Sequence, residues 1–336
     1  MESKKVQHRA RAQFKVGELV QLTDPKGRLH TIQLSEKGFF NSSRGSFPHS
    51  ALIGKPEGTV VTAREGTEFL ALRPLLKDYV LSMPRGATII YPKDCAQIVQ
   101  YADIFPGARV LEAGVGSGGL SMSLLSAIGA DGKLTSIERR QDFATIAKAN
   151  ADMWFGYRHP AWDVQVGDFE QVAPTLGSHC WDRVVLDMLA PWECLPAAYD
   201  ALVFGGVLCI YIATVTQMSR TIEAMKNQQK WVAVHAWETT ERQWHVEGLS
   251  VRPEHSMVGH TGFLITARTL AQGQKLPRRG LRPAPAAKGQ GGQWDHVDTW
   301  EAKDLGERTI ADKKVRKVTR DLMRRAELAG LEDPHE

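Results

Sequence analysis

The most regular pattern in the chain is an alternation of short apolar runs with longer amphipathic stretches, which begins at Ala108. The apolar runs have the length of buried strands, and the amphipathic stretches have the length and spacing of helices. Strands that alternate with helices in this way predict an α/β fold with a largely parallel sheet. The predicted strands are ARVLEAG, KLTSIE, DVQVGD, RVVLD and GVLCIYI, and the predicted helices between them are GGLSMSLLSAIG, RRQDFATIAKANADMW and CLPAAYDALVFGG.

A second group of predicted strands follows the predicted helix TVTQMSRTIEAMKNQ. Its three members are KWVAVHAWETT, RQWHVEGLSVRP and HTGFLITARTL. We expect the last two of them to pair as a hairpin.

The regions before this alternation have different patterns. Residues 14–74 alternate apolar and polar positions between glycines and prolines, as in KVGELVQLTD, which predicts a small β-rich domain. Residues 1–13 are a basic and flexible N-terminus by composition. Residues 75–272 form the predicted main α/β domain, and a helix is expected near its start, in YPKDCAQIVQYADIF.

Residues 273–336 are predicted to be a linker and a basic amphipathic helix. The linker is rich in proline, glycine and basic residues, which is typical of flexible connections. Two interpretations of the helix stay open: a solvated or subunit-docking helix, and a basic helix that contacts RNA. Its apolar positions fall on one face, at Ala311, Val315, Val318, Leu322 and Ala326.

The composition is that of an ordinary soluble protein with a basic balance. Apolar residues make up 43% of the 336 residues and charged residues 24%. The net charge of +4 and the pI near 8.8 favour a polyanionic partner. The N-terminus lacks the apolar core of a signal peptide, and no apolar run approaches the ~20 residues of a membrane span. We therefore expect no membrane association.

The spacing of cysteines and histidines favours neither a disulfide framework nor a metal site. The cysteines have no C-x-x-C pair, which predicts a reduced, cytoplasmic compartment. No metal-ligand spacing joins the late histidines, so we expect no metal, and we expect a strand-end hydrogen bond from His260. The residues concerned are Cys95, Cys180, Cys194 and Cys209, together with His245, His255 and His260.

A glycine-rich loop follows the first predicted strand of the α/β domain, in VLEAGVGSGGLS. Glycines at this place let the backbone turn sharply and let a ligand lie against bare main chain. The loop also satisfies G-x-G-x-x-G, so a dinucleotide dehydrogenase is an alternative. The glycines are Gly114, Gly116, Gly118 and Gly119.

Acids stand at the ends of three successive predicted strands, at Glu138, Asp168 and Asp187. Glu138 is at the distance from the loop where an acid hydrogen-bonds ribose hydroxyls. Asp168 can accept a hydrogen bond from an adenine amino group, and Phe169 can lie against the ring. The layout favours an S-adenosylmethionine pocket, although each acid alone is equally suited to capping the helix that follows.

Several motifs together resemble one family, the tRNA (adenine-N1) methyltransferases of the TrmI type, which modify adenine 58 of the tRNA T-loop. The motifs are EAGVGSGGLS, GDF, LDMLAPWE, ATVTQ, VGHTGFL and IIYPKD. The resemblance covers residues 14–273. It implies a class I S-adenosylmethionine-dependent methyltransferase fold, with a doubly wound, mostly parallel seven-stranded sheet. It also implies S-adenosylmethionine as methyl donor, tRNA as substrate and a homotetramer.

The resemblance also implies roles for individual residues. Asp187 corresponds to the catalytic acid beside both cofactor and target base, and Tyr91 corresponds to a tyrosine that lines the base pocket. Pro191 and Trp192 are expected to form a wall of that pocket, although packing in the core is an equally good interpretation of Trp192. The implied cofactor contacts are Gly114, Gly116, Ser117, Gly118, Gly119, Leu120, Glu138, Phe143, Asp168, Phe169 and Asp187.

The sequence departs from the family pattern at two of these places. The family has D-L-P-x-P-W after the catalytic aspartate, and here Leu189 stands at the first proline, which predicts a less rigid loop. A basic or imidazole side chain often follows the ribose-binding acid by five positions, and here that position is Phe143. Its contact with the cofactor is therefore the weakest of the implied set.

The chemistry explains why an acid is needed at this strand end. Adenine N1 has a lone pair that can displace a sulfonium methyl group without a protein nucleophile, so the enzyme mainly places the reactants and manages charge. The carboxylate of Asp187 can accept a hydrogen bond from the exocyclic amine and take its proton. The T-loop adenine must be flipped out to react. Three other functions stay open: hydride transfer, methylation of a protein or small molecule, and a non-catalytic RNA-binding subunit.

Overall fold

The computed structural model describes residues 13–276 and 312–329, and the chain divides into two compact units. The first unit comprises the described residues of Met1–Pro84, Lys148–Arg158 and Lys317–Glu336. The second comprises those of Arg85–Ala147 and His159–Arg316. The domain boundaries expected from the sequence stay a prediction.

The first segment of the first unit contains short antiparallel strands followed by one short helix. Its strands form a sheet of order β2-β1-β6-β5 and a separate β3–β4 hairpin. These elements are β1 (Leu19–Thr23), β2 (Leu29–Gln33), β3 (Phe39–Ser42), β4 (Gly45–Pro48), β5 (Thr59–Thr62), β6 (Glu68–Leu72) and α1 (Leu76–Ser82).

Alternation of side chains explains how this sheet buries one face. In β6, Phe69 and Ala71 are buried while the residues beside them are exposed. The rings of Phe40, Phe47 and Phe69 pack with centroids 5.1 to 5.8 Å apart, within the range that favours aromatic pairs. The β-rich N-terminal region predicted from the sequence is confirmed.

The second unit contains the predicted alternation of strands and helices. Its elements are α2 (Pro92–Tyr101), β7 (Arg109–Ala113), α3 (Gly119–Ile128), β8 (Lys133–Glu138), the first half of α4 (Gln141–Phe155), β9 (Trp162–Val166), α5 (Phe169–Val172), β10 (Trp181–Asp187), α6 (Pro191–Ala201), β11 (Leu202–Ile212), α7 (Val215–Gln228), β12 (Trp231–Trp237), β13 (Trp244–Glu247), β14 (Ser250–Pro253) and β15 (Phe263–Thr269). The residues of α4 from Lys148 onward belong to the first unit. The last helix of the chain is α8 (Asp312–Ala329).

The sheet of the second unit has seven strands in the order β12-β15-β11-β10-β7-β8-β9. The pairs from β11 to β9 are parallel, and β15 runs antiparallel between β11 and β12. The mostly parallel seven-stranded sheet is therefore confirmed. The chain starts in the middle with β7, moves outward through β8 and β9, and returns to the other side with β10. Ligands bind where the strand order reverses in this way, at the carboxyl ends of the strands.

Burial explains why the central strands read as continuous apolar runs. In β10, Val184, Val185 and Leu186 are all fully buried, because helices cover both faces of a parallel sheet. The apolar run ends at Asp187, the last residue of the strand.

Two expectations about the later elements are wrong. RQWHVEGLSVRP folds on itself into the β13–β14 hairpin, whose turn contains Gly248 at φ 52°. HTGFLITARTL supplies β15, which pairs with β11 in the main sheet. Its apolar residues Leu264, Ile265 and Ala267 are buried there. The helix predicted over CLPAAYDALVFGG ends at Ala201, since the next residues already belong to β11.

The C-terminal helix is present as α8. Val315 and Leu322 of its predicted apolar face are buried, and Val318 is partly buried. Ala311 and the side chain of Ala326 lie outside the described residues, as do the basic N-terminus through residue 12 and the predicted linker beyond residue 276. In the part of the chain that the structure describes, no helix is long and apolar enough to cross a membrane.

Candidate active site

The candidate site lies in the second unit, where the glycine loop meets the end of β10. Gly114 follows β7 at φ +86°, a conformation that L side chains rarely adopt. A Cβ on Gly114 would lie 1.9 Å from the carbonyl oxygen of Asp187. Only glycine lets the loop approach this strand end so closely.

The rest of the loop leads into α3. Gly118 precedes the helix in the left-handed conformation, and Gly119 and Leu120 form its first turn. The hydroxyl of Ser117 is buried and accepts a hydrogen bond of 3.3 Å from the backbone N–H of Gly86. The loop is therefore held in place from both sides, by its own turn and by residue 86.

Glu138, at the end of β8, is tied to this loop. Its Oε2 accepts a hydrogen bond of 3.0 Å from the backbone N–H of Gly116, and its Oε1 accepts one of 3.1 Å from that of Arg140. The side chain is largely buried. The expected ribose-binding acid and the glycine loop are thus brought together, as the sequence predicted.

Asp168 occupies the position before α5, and its side chain makes no capping hydrogen bond there. Its Oδ1 instead accepts a hydrogen bond of 2.6 Å from Nε of Arg139. Phe169 is buried in the hydrophobic core.

Asp187 does not cap a helix either, because the residue that precedes α6 is Ala190.

Asp187 is the acid whose ionisation is most affected by its surroundings. Burial, together with the nearby carboxylates of Glu112 and Glu138, raises the pKa of Asp187 from 3.8 to about 7. Its backbone pairs with Tyr211 of β11. A carboxylate with its pKa near neutrality can gain and lose a proton at physiological pH.

Glu112 is a second buried acid that the sequence reading missed. It lies inside β7 with no exposed surface, and its two oxygens accept hydrogen bonds from the hydroxyls of Ser121 and Ser136 at 2.5 to 3.0 Å. Burial raises the pKa of Glu112 to about 7, against the effect of these two hydroxyls. The signal was available, because a charged residue within the apolar run VLEAG requires partners.

The loop after Asp187 is held by α7. The side-chain Nε2 of Gln217 donates a hydrogen bond of 2.8 Å to the carbonyl oxygen of Leu189. Gln217 is buried and also completes a capping box with Thr214 at the start of the helix. Leu189, which stands where the family has a proline, is thus fixed through its backbone. The residue that fixes it, Gln217, is the last residue of the ATVTQ motif, and the sequence alone did not indicate this role.

Pro191 and Trp192 begin α6 directly after that loop. Pro191 is buried at the first helical position, where a missing N–H costs nothing. The guanidinium of Arg220 lies 4.3 Å from the ring centroid of Trp192. The indole Nε1 of Trp192 is buried without an acceptor among the described residues, so a hydrogen-bond donor is left over beside the loop.

Tyr91 precedes α2, whose first turn is joined to the VGHTGFL motif. Asp94 is buried, and its two oxygens accept hydrogen bonds of 2.7 Å from Nζ of Lys93 and 2.6 Å from the hydroxyl of Thr261. The hydroxyl of Tyr211 donates to the carbonyl oxygen of Thr261 at 2.7 Å. The sequence reading did not foresee this network, since its members are 168 positions apart.

The charge of Asp187 acts on residues of α2 and β11. Burial, with smaller contributions from the charges of Asp94 and Asp187, raises the pKa of Cys95 to about 12. Burial also raises the pKa of Tyr211, and the same two carboxylates contribute. The first turn of α2 and the end of β10 are therefore near each other in the second unit.

Phe143 is packed as an apolar residue. Its ring would touch a Cβ placed on Gly86 at 2.9 Å, and the guanidinium of Arg140 lies 4.1 Å from the ring centroid. The ring offers no hydrogen bond, so the polar contact that the family has at this position is not made by this residue.

Metal ligation has no support in the described residues. They contain no group of three His, Cys, Asp or Glu side chains that could hold an ion. His260 has Nε2 2.8 Å from the carbonyl oxygen of Ala213, at the end of β11, which agrees with the expected strand-end hydrogen bond.

The site has the donors and acceptors that suit S-adenosylmethionine. The glycines of the loop leave its backbone without side chains, and a Cβ on Gly114 would collide with the chain at Asp187. Glu138 supplies a carboxylate beside that backbone. The acids Glu112, Glu138 and Asp187 make the pocket negative when they are ionised, which favours a cationic ligand.

Family models match two parts of the chain. The model described as the tRNA methyltransferase complex GCD14 subunit matches residues 69–252. The model described as the TrmI-like N-terminal region matches residues 13–61.

Individual relatives and solved structures point the same way. The chain is 36% identical over 250 residues to the tRNA (adenine(58)-N(1))-methyltransferase TrmI of Thermus thermophilus, which covers 74% of this chain and 95% of the relative. A structure of the tRNA (m1A58) methyltransferase TrmI from Aquifex aeolicus is similar with a TM-score of 0.69 and 25% identity, over 77% of this chain and 99% of that one. A SAM-dependent O-methyltransferase from Thermotoga maritima gives a TM-score of 0.73 and 25% identity, over 79% and 97%.

Proposed function

Since the chain belongs to the tRNA (adenine-N1) methyltransferase family, we propose that Asp187 is the catalytic acid in the transfer of a methyl group to N1 of the T-loop adenine. The chain is an S-adenosylmethionine-dependent tRNA (adenine(58)-N(1))-methyltransferase. The observation that carries the assignment of Asp187 is its carboxyl at the end of β10, with a pKa of about 7 and its backbone against Gly114. Family membership excludes the hydride-transfer alternative. No feature of the described residues favours the other two.

The cofactor site consists of the glycine loop and the acids at the ends of β8 and β9. We assign the main chain of Gly114, Gly116, Ser117, Gly118, Gly119 and Leu120 to the methionine end, because glycine at four of these six positions leaves the backbone without a side chain. Glu138 is assigned to the ribose, and Asp168 with Phe169 to the adenine. Asp168 can exchange its contact with Arg139 for an adenine amino group, because both side chains are exposed. When bound, S-adenosylmethionine supplies a methyl group on a cationic sulfur.

Asp187 has two tasks in this assignment. Its carboxylate accepts a hydrogen bond from the exocyclic amine of the flipped-out adenine, which fixes N1 in place. Methylation makes the base cationic and its amine more acidic, so the carboxylate can take the proton. A group with its pKa near 7 both holds and releases that proton readily.

The base pocket is assigned to Tyr91, Pro191 and Trp192. Tyr91 is partly exposed at the start of α2, so its ring can stack on an extruded base. Trp192 has a buried indole N–H without an acceptor among the described residues, which a base can satisfy after a small movement. We assign Gln217 the task of positioning the loop between Asp187 and Trp192, since it bonds the loop's backbone. Phe143 is kept only as an apolar neighbour of the cofactor pocket.

The assignment of Asp187 is tested by substitution. Asp187→Ala should still bind unmodified tRNA but lose most methyl transfer, measured with labelled cofactor at a saturating concentration. Near-normal turnover in this variant would remove Asp187 from the mechanism. The exposed acid Asp131 provides a matched control, because Asp131→Ala changes the same side chain far from the loop in sequence and should retain full activity.

Assembly and location are proposed on the resemblance. We propose a homotetramer in the cytoplasm, where tRNA is the substrate and the four free thiols stay reduced. Light scattering after size-exclusion chromatography should give four times the 37.2 kDa chain mass. A monomeric mass at micromolar concentration would contradict the tetramer without affecting the catalytic assignment.

A further inference from the structure

The C-terminal helix α8 lies beyond the regions that the family models match, which end at residue 252. It is docked by one face, because Val315 and Leu322 are buried. The side chain of Gln33 donates a hydrogen bond of 2.9 Å to the backbone carbonyl of Arg325, near the helix end. The helix is therefore fixed to the protein, and its opposite face is directed outward.

That outward face carries a basic stripe, defined as Lys313, Arg316, Lys317, Arg320 and Arg324. At about 100° per residue, these five positions fall within an arc of about 100°, opposite Val315 and Leu322. At about 1.5 Å per residue, the stripe is roughly 16 Å long. All five side chains are exposed. Within residues 13–276 and 312–329, none of the five has an acidic partner within ion-pair distance.

We propose that the basic stripe binds the sugar–phosphate backbone of the tRNA substrate, at a place additional to the catalytic site. Five cations in a row on a fixed helix match a strand of phosphates, each of which carries one negative charge. Point charges and guanidinium groups of this kind hold a nucleic acid in position without reading its sequence. This proposal rests on tRNA being the substrate.

An anionic membrane surface fits the stripe less well than tRNA does. A helix that lies on a membrane inserts its apolar face among the lipids. In α8 the apolar residues Val315 and Leu322 are already buried against the protein, so this face is not available for insertion. The stripe can offer only charge, which suits a hydrated polyanion.

The test neutralises the stripe and preserves its charge in a matched variant. In the full-length protein, Lys313→Gln, Arg316→Gln, Lys317→Gln, Arg320→Gln and Arg324→Gln are combined. The control exchanges lysine and arginine at the same five positions, so that the charge is kept. The dissociation constant for an unmodified tRNA transcript is measured by filter binding from 50 to 300 mM KCl, without turnover. Melting temperature and S-adenosylmethionine affinity report on folding and on the catalytic site.

The neutralised variant should bind tRNA at least about tenfold more weakly near 100 mM salt, with the slope of log affinity against log salt reduced by about 3 to 4. The charge-preserving control should bind as the unmodified protein does, and cofactor affinity should stay unchanged in both. Unaltered tRNA affinity and slope in the neutralised variant would overturn the proposal. So would loss of binding to phosphatidylserine vesicles with tRNA binding intact. Failure of the catalytic assignment is seen separately, as absence of methyl transfer by the unmodified protein.

Discussion

Replacing Asp187 by asparagine should stabilise the folded protein at pH 8 while it abolishes methyl transfer. The pKa of this carboxyl is raised from 3.8 to about 7 in the folded chain, by burial and then by Glu112 and Glu138. The folded state therefore binds more protons than the unfolded state between these two values. The stability that the folded protein gains from this extra proton binding is fully present below pH 3.8, and it is lost as the pH rises through about 7.

The size of the effect follows from the same shift. A difference of about 3 pKa units corresponds to at most about 4 kcal/mol at pH 8. Asp187 as a residue is partly exposed at the strand end, and screening by solvent reduces the cost, so we expect about 1 to 3 kcal/mol. For a chain of this size, each kcal/mol shifts the melting temperature by roughly 2 to 4 °C. Asparagine keeps the shape of the side chain and carries no charge to desolvate.

The assay is thermal unfolding of the unmodified protein and of Asp187→Asn at pH 5 and at pH 8, without cofactor. The gain in stability of the variant should be about 1 to 2 kcal/mol larger at pH 8 than at pH 5. Asp131→Asn, at an exposed position, serves as the control and should show no such difference. An equal effect of Asp187→Asn at both pH values would refute the inference that the site forces an unfavourable charge on this carboxyl.

Three further predictions concern the same pocket. Affinity for S-adenosylmethionine, measured by calorimetry, should rise between pH 6 and 8 as Asp187 ionises. Affinity for S-adenosylhomocysteine should rise less, because this ligand lacks the sulfonium charge. Equal pH dependence of the two affinities would contradict the role of the Asp187 charge. Gly114→Ala should lose about 3 kcal/mol of stability and the cofactor-induced rise in melting temperature, because its Cβ would collide with a carbonyl oxygen. Gly129→Ala has a similar φ in open space and should lose stability but keep cofactor binding. Gln217→Ala should lower kcat/KM for tRNA by about five- to thirtyfold with cofactor affinity unchanged, because it frees the loop after Asp187. The control Asn227→Ala, on the same helix, should leave kcat/KM unchanged.

The sequence was most informative where a local pattern decides the structure. Glu138, Asp168 and Asp187 were found because each ends an apolar run, and the carboxyl ends of parallel strands meet at one edge of the sheet. The glycine loop was found for a similar reason, as a break between a strand and a helix. These features need no knowledge of distant contacts.

The features that were missed depend on contacts between distant segments. Glu112 lies within an apolar run, and its partners Ser121 and Ser136 are brought to it only by the fold. Gln217 holds a backbone carbonyl 28 positions earlier in the chain. The hairpin prediction was wrong because strand periodicity gives no pairing partner, and β15 pairs with β11 and β12 instead of its neighbour in sequence.

The most direct measurement is nucleoside analysis of a tRNA transcript after incubation with the protein and labelled S-adenosylmethionine. Digestion with a site-selective nuclease before mass spectrometry places the label within the tRNA. We predict 1-methyladenosine at position 58 of the T-loop with the unmodified protein, and none with Asp187→Ala. A protein that binds both the cofactor and the tRNA but leaves N1 of that adenine unmethylated would contradict it.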